Sequence, residues 1–213
     1  MKYLITGGDF VAAKEGFKLV GRDDDLKRLS SVLMRNKAAS VLLVGPGGVG
    51  AAALCMGIQA SKDDPNAPFD IISKRIHWLL TDELYSSADP NAEFNRVLEI
   101  LKRTPDSILI IEDARDFLEG SRNAGCMLHI NSLNALVKNG ATQVILEVRD
   151  DDFEMVLKAH SDMRQHYTMI DLAEPVGEDL AAISRASVKS LEKHHGISID
   201  DDAILSAIQL PNK

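Results

Sequence analysis

The chain is poor in sulfur and aromatic residues and has no excess of positive charge. Among its 213 residues are two cysteines, one tryptophan and an aromatic share of 5%. Cys55 and Cys126 stand far apart and form no C-x-x-C pair, which argues against a thiol redox motif and against a disulfide-rich scaffold. Both read as buried thiols of a reducing compartment, with a disulfide between them as the alternative, and the expected location is the cytoplasm. Six histidines are present. His77, His129, His160 and His166 are scattered, and His194-His195 closes a helical stretch where positive charge is favoured. There is no H-E-x-x-H and no Cys/His cluster, so no metal site is expected. Lysine and arginine total 24 against 32 acidic residues, a net charge of -8. An acidic chain without a basic cluster is a poor partner for nucleic acid or an anionic membrane surface. No apolar run approaches the roughly 20 residues that span a bilayer, and Met1 to Phe10 lacks a signal-peptide layout.

What is present is ordinary globular material, 45% hydrophobic and 26% charged. This suffices for one domain, or one plus a small appendage, with a sizeable core. The organising stretch is Ser40 to Leu54. Val41 to Val44 form the continuous apolar run of a strand buried on both faces. A glycine-rich turn with Gly45, Gly47, Gly48, Val49 and Gly50 follows, and then a run of helix formers. Gly45 and Gly50 have the spacing of a phosphate-binding G-x-x-x-x-G-K-[ST] loop. Ala51 stands in the lysine position and Ala52 in the magnesium-binding hydroxyl position.

Around this unit, strands are predicted at Arg75–Leu80, Ile108–Ile111, Val144–Val148 and Met169–Leu172. Helices are predicted from Asp23 or Asp24 as cap, around Phe94–Leu101, from about Ala124 to Lys138, over Phe153–Ala159, from about Glu178 to Lys193, and over Asp201–Ile208. Ser61 to Pro68 and Ala88 to Asn91 are turn chemistry. Alternating strands and helices define an α/β fold, a three-layer parallel sheet. The divisions expected are an N-terminal arm (1–19), an α/β core (20–172) and a helical lid (173–213) that reads as shortened.

The stretches V-G-R-D-D-D-L-K-R-L (20–29), the loop at 45–52, A-E-F-N-R-V-L (92–98), I-L-I-I-E-D (108–113), the helix ending in N-G (139–140), A-E-P-V-G-E-D (173–179) and the final L-P-N-K occur in a recognisable order. Together they resemble the first nucleotide-binding domain of the ClpA/ClpB family of AAA+ unfoldases. The resemblance implies a P-loop ATPase fold. In that family the loop lysine neutralises the β- and γ-phosphates and the next hydroxyl ligates magnesium. Each such charge-assisted contact is worth about 1.5–3 kcal/mol, so Ala51 and Ala52 imply weak nucleotide binding. Either the glycines only make a tight turn, or the amides of Gly47 to Ala52 hold an anion.

The remaining family positions depart as well. The acidic pair is normally Asp then Glu; here it is Glu112 then Asp113, expected to be solvated at a strand end. Neither Val148 nor Arg149 is the usual polar sensor. The arginine pair that reaches a neighbouring subunit falls at Gln165-His166, beside Arg164. Pro90 replaces the pore aromatic, with Tyr85 upstream and expected to be packed. Gly21 and Arg22 match the segment that packs on adenine.

These departures lead to the expectation of a non-enzyme: a structural or adaptor subunit of a larger cytoplasmic assembly, of the kind found in bacterial secretion or protein-remodelling machines. The alternatives are a nucleotide switch without hydrolysis and a weak ATPase that works beside a partner subunit. No cofactor beyond weakly held nucleotide or anion is expected. The expected partners are proteins, without a nucleotide-dependent hexamer. Leu205 and Ile208, with Ile204 and Leu210, are the apolar lid residues expected to meet a partner.

Overall fold

The computed structural model describes residues 2–14, 16–64, 69–125, 129–140, 142–159 and 163–210. Cys126, Met127, His160 and positions 65–68 and 211–213, on which some expectations fall, lie outside the described residues. The strands are β1 (Leu4–Thr6), β2 (Ser40–Gly45), β3 (Arg75–Leu79), β4 (Ser107–Ile111), β5 (Thr142–Arg149) and β6 (Tyr167–Asp171). The helices are α1 (Gly7–Ala12), α2 (Asp23–Leu33), α3 (Ala51–Ser61), α4 (Phe69–Ile72), α5 (Thr81–Tyr85), α6 (Pro90–Arg103), α7 (Ala114–Asn123), α8 (His129–Lys138), α9 (Asp150–Ala159), α10 (Met163–His166), α11 (Gly177–His195) and α12 (Asp201–Gln209).

The strands form one sheet in the order β1-β3-β4-β5-β2-β6. All neighbours pair in parallel except β1, which runs antiparallel to β3. The apolar run of β2 is explained by its position inside the sheet, covered on both faces. Leu42 and Val44 join Leu109, Leu146, Phe94, Phe117 and Leu133 in one core layer, against α6, α7 and α8. Val41 and Leu43 point the other way, to Ile108, Ile145, Leu29, Leu54 and Ile58, against α2 and α3. Alternation within a continuously apolar strand thus feeds two cores and gives the three expected layers.

Three local readings differ from expectation. The first residues form no loose segment. Leu4 pairs with Leu79 and Thr6 with His77. The hydroxyl of Thr6 accepts from the Asp9 amide at 3.2 Å to start α1, and Phe10 stacks on Trp78 at 4.5 Å. A three-residue strand is too short for its alternation to register in sequence.

Of the helix expected from about Ala124 to Lys138, the described part is α8, His129–Lys138, while α7, Ala114–Asn123, lies before that span and was not expected. Gly125, at φ +70°, ends α7 with the left-handed residue that commonly follows a helix. Finally, α2 is entered from Arg22, whose side chain does not cap it, and Asp23, Asp24 and Asp25 all lie in its first turn. There their charge favours the helix N-terminus.

The segment at the family's pore-loop position is a helix start. Asp89 accepts from the Ala92 amide at 2.9 Å, and Pro90 occupies the first turn of α6. Tyr85 is packed, as expected, with its hydroxyl 3.2 Å from His129 Nδ1. Burial pushes the His129 imidazole down to about 4.

Candidate functional site: a cleft at the carboxyl ends of the strands

Parallel strands deliver their loops to one edge of the sheet, and ligands of open α/β folds bind there. Here β2 runs into the glycine turn. Gly45 is fixed by space, since a Cβ would lie 2.8 Å from the Leu172 carbonyl and 3.0 Å from Val49 Cγ1. Gly50, at φ +97°, is the N-cap of α3 and brings no side-chain acceptor. The first bond of the helix is Leu54 N–H to the Gly50 carbonyl at 3.0 Å, so the amides from Ala51 onward in the first turn lack helical partners. The Val49 amide is already spent on the Pro46 carbonyl at 3.1 Å, which shortens the expected run of free donors. Gly47 and Gly48 are exposed.

Two cavities flank this turn. A cleft of about 260 Å³ lies between the loop, from Gly45 to Ala52, and Glu112, Asp113, Glu147 and Arg149. A larger one, about 970 Å³, separates core from lid and is lined by Val20, Arg22, Gly47 to Gly50, Ile183, Ile204, Ile208 and others. Ile204 is buried and Ile208 half-buried against this cleft, whereas Leu205 is exposed and does not line it. The two lid residues expected on one docking face therefore point in different directions. The lid helices are tied together by the bidentate Arg185–Asp201 pair and by Glu192 Oε1, which accepts from the Ile199 amide at 2.8 Å.

Arg22 is 7% exposed and fully engaged. Its guanidinium donates to Asp25 Oδ2 at 2.8 Å, to the Ala173 carbonyl at 2.9 Å and to the Val49 carbonyl. One side chain thus ties α2, the glycine-loop backbone and the entry to the lid. Gly21, at φ +65°, sits against the lid helix, where a Cβ would lie 3.0 Å from the Asp179 carbonyl and from Ile183. The V-G-R segment serves first as the brace between core and lid.

Glu112 and Asp113 are not simply solvated. The Trp78 indole donates to Glu112 Oε1 at 3.1 Å. The residue as a whole is exposed, but partial desolvation of its carboxyl raises its pKa. Asp113 caps α7, accepting from the amides of Arg115 at 2.8 Å and Asp116 at 3.1 Å. It also pairs with Arg149 at 3.3 Å. Aspartate is among the preferred cap residues, so the inverted order places the shorter acid where α7 needs one. Val148 is buried in the core. Arg164 and Gln165 lie on α10, immediately before β6 and at the opposite end of the sheet from the loop; Arg164 is exposed.

A cleft residue not singled out in sequence is Glu147. It lies within β5, 9% exposed, and its Oε1 is buried with no hydrogen-bond partner. Burial and the nearby Glu112 charge push its carboxyl up to about 8, opposed by a hydrogen bond with the Cys55 thiol. Cys55, on α3, is itself held well above the usual thiol range by burial and by Glu147. The available signal was an acid interrupting the buried run Val144-Ile145-Leu146. Among the described residues no group of three His, Cys, Asp or Glu is placed to hold a metal, and no helix is long and apolar enough to cross a membrane.

A parallel sheet with a glycine loop entering a helix, an acid-bearing neighbouring strand and a helical lid defines an AAA+-type P-loop domain. No family model matches the chain. The ClpB chaperone protein of Bdellovibrio bacteriovorus is 26% identical over 200 residues, covering 92% of this chain and 23% of the relative. That of Rickettsia conorii is 27% identical over 215 residues, covering 97% and 25%. The chain therefore spans about a quarter of the length of the curated relatives it matches. Among solved structures, a Saccharomyces cerevisiae Hsp104:casein complex aligns at TM-score 0.83 with 22% identity, over 98% of this chain and 36% of that one. An Hsp104-ADP complex aligns at 0.82 with 22% identity. The chain is an AAA+ domain resembling the ClpB nucleotide-binding domain. This corrects the expectation of a non-enzyme. The relatives are named ClpB chaperones, an ATPase family, so departures at individual loop positions do not support a non-enzyme.

Proposed function

We propose that this chain is a structural or adaptor AAA+ domain of a larger protein-remodelling assembly. It binds nucleotide or anion weakly, and its turnover depends on a neighbouring subunit. The observation that carries this reading is the retained cleft beside altered loop chemistry. Ala51 and Ala52 line the cleft without an ammonium or hydroxyl group, while the glycine turn, the Arg22 brace and the lid remain assembled. The amides at the start of α3 still offer donors to an oxyanion. The missing charge would then come from elsewhere, and an adjoining subunit is the source this reading assigns.

The test is steady-state phosphate release by the chain alone and mixed with an ATP-hydrolysing ClpB chaperone. Alone, release is expected to be low. In the mixture it should rise several-fold above the sum of the parts, and the rise should be lost on Arg22→Ala. Full turnover by the isolated chain, or a strictly additive mixture, overturns the proposal.

A further inference from the structure

We infer that Glu147, as a neutral carboxylic acid, is the proton-bearing donor of an anion subsite at the start of α3, so that oxyanions occupy the cleft while Glu147 holds its proton and leave when it ionises. This deepens, and rests on, the weak anion binding proposed above.

Three observations converge on Glu147. It lines the same cleft as Gly47 to Ala52. Its Oε1 is buried without a partner, although a buried carboxyl oxygen ordinarily finds one. The side chains of Ala51 and Ala52 end at Cβ, which leaves the space between that carboxyl and the helix start unfilled by protein.

The surrounding groups fix the direction of the effect. From α3 the Cys55 thiol contacts Glu147, and from the end of β4 and the turn after it Glu112 and Asp113 act on it as negative charges. From the end of β5, Arg149 reaches Asp113. From β3 the Trp78 indole is taken by Glu112, and Lys14 of the N-terminal segment acts on Glu112 from a distance. With Glu147 ionised, three carboxylates would face one guanidinium, a poor environment for an anion. With Glu147 protonated, one of these charges is gone and an O–H donor takes its place beside the amides of α3. A carboxylic acid kept neutral near pH 7 by burial can donate in this way. The fall in binding should follow the carboxyl's titration, pushed up to about 8.

Inorganic sulfate is the probe, because it remains a dianion throughout the range. Its affinity is measured by calorimetry on the full chain from pH 6.5 to 9.5, with circular dichroism confirming the fold at each pH. Wild-type affinity is expected to hold at low pH and then fall about tenfold per unit above the Glu147 titration. Glu147→Gln, neutral at every pH, is expected to bind with less than about threefold variation across the same range. Parallel falls in both proteins, or a flat wild-type profile, overturn the role of Glu147 and leave anion binding itself standing. No sulfate binding by either protein at any pH overturns the anion reading as well. Methylammonium binding that grows with pH and disappears in Glu147→Gln would make the pocket a cation site and also overturn the inference. Should the variant unfold, the wild-type profile still decides.

Discussion

Replacing Ala51 with Lys and Ala52 with Thr should raise affinity for MgATP by about 100-fold or more. Each restored charge-assisted contact is worth about 1.5–3 kcal/mol, and every 1.4 kcal/mol is about tenfold. Both alanines are half-buried on the cleft wall, in the first turn of an otherwise intact α3. The substitutions add side chains without asking the backbone to move. Calorimetry with MgATP, and with ATP plus a chelator, checks the result. The gain should require magnesium, because the threonine hydroxyl acts only through the metal. A second signature comes from Glu147. A lysine ammonium in the same cleft favours the ionised carboxylate and should draw its titration down. An affinity change below tenfold would mean that Glu112 and Asp113 are held too far from phosphate geometry by Trp78 and by the α7 cap to cooperate with the restored loop.

Arg22→Ala should destabilise the domain by about 3 kcal/mol, because it removes a buried charge-assisted network and leaves two carbonyls and a carboxylate short of their donor. For a chain of this size that corresponds to a fall in Tm of roughly 6–12 °C. The loss is expected to be uneven. Hydrogen exchange should quicken most in the glycine loop and the first turns of α11, since Arg22 joins Val49 to Ala173. Arg22→Lys, which keeps the charge but cannot reach three acceptors in the same fork, should recover only part of the stability. A melt unchanged in Arg22→Ala, or exchange that rises uniformly, would show that the lid is held by α11 and α12 packing alone.

The parts legible in sequence were those whose signal repeats along several residues. The apolar runs of β2, β4 and β5, and the Phe94, Val97, Leu98 and Leu101 face of α6, are periodic enough to read directly. The parts that were not legible depend on a single residue meeting something distant. β1 exists because Leu4 to Thr6 find the open edge of β3. The end of α7 turns on the left-handed Gly125. At the site, the glycine loop was readable from spacing alone. The roles of Arg22, Asp113 and Glu147 were not. They follow from contacts with Ala173, with the start of α7 and with Cys55, which local pattern does not encode. The overturned non-enzyme expectation has a different origin: it set departures at single loop positions above the resemblance of the whole chain to ClpB chaperones.

The buried acid of β5 also makes folding a proton-uptake reaction. In the unfolded chain Glu147 returns to the ordinary value of 4.5, whereas the folded environment holds it near 8. Between those limits the native state binds the proton and the unfolded state does not, so stability falls as pH rises through this window and levels off above it. At neutral pH each molecule that folds draws close to one proton from its buffer through this residue. The apparent unfolding enthalpy of the domain will therefore differ between phosphate and Tris by close to the difference in the two buffers' ionisation heats, and Glu147→Gln will erase that share of the difference.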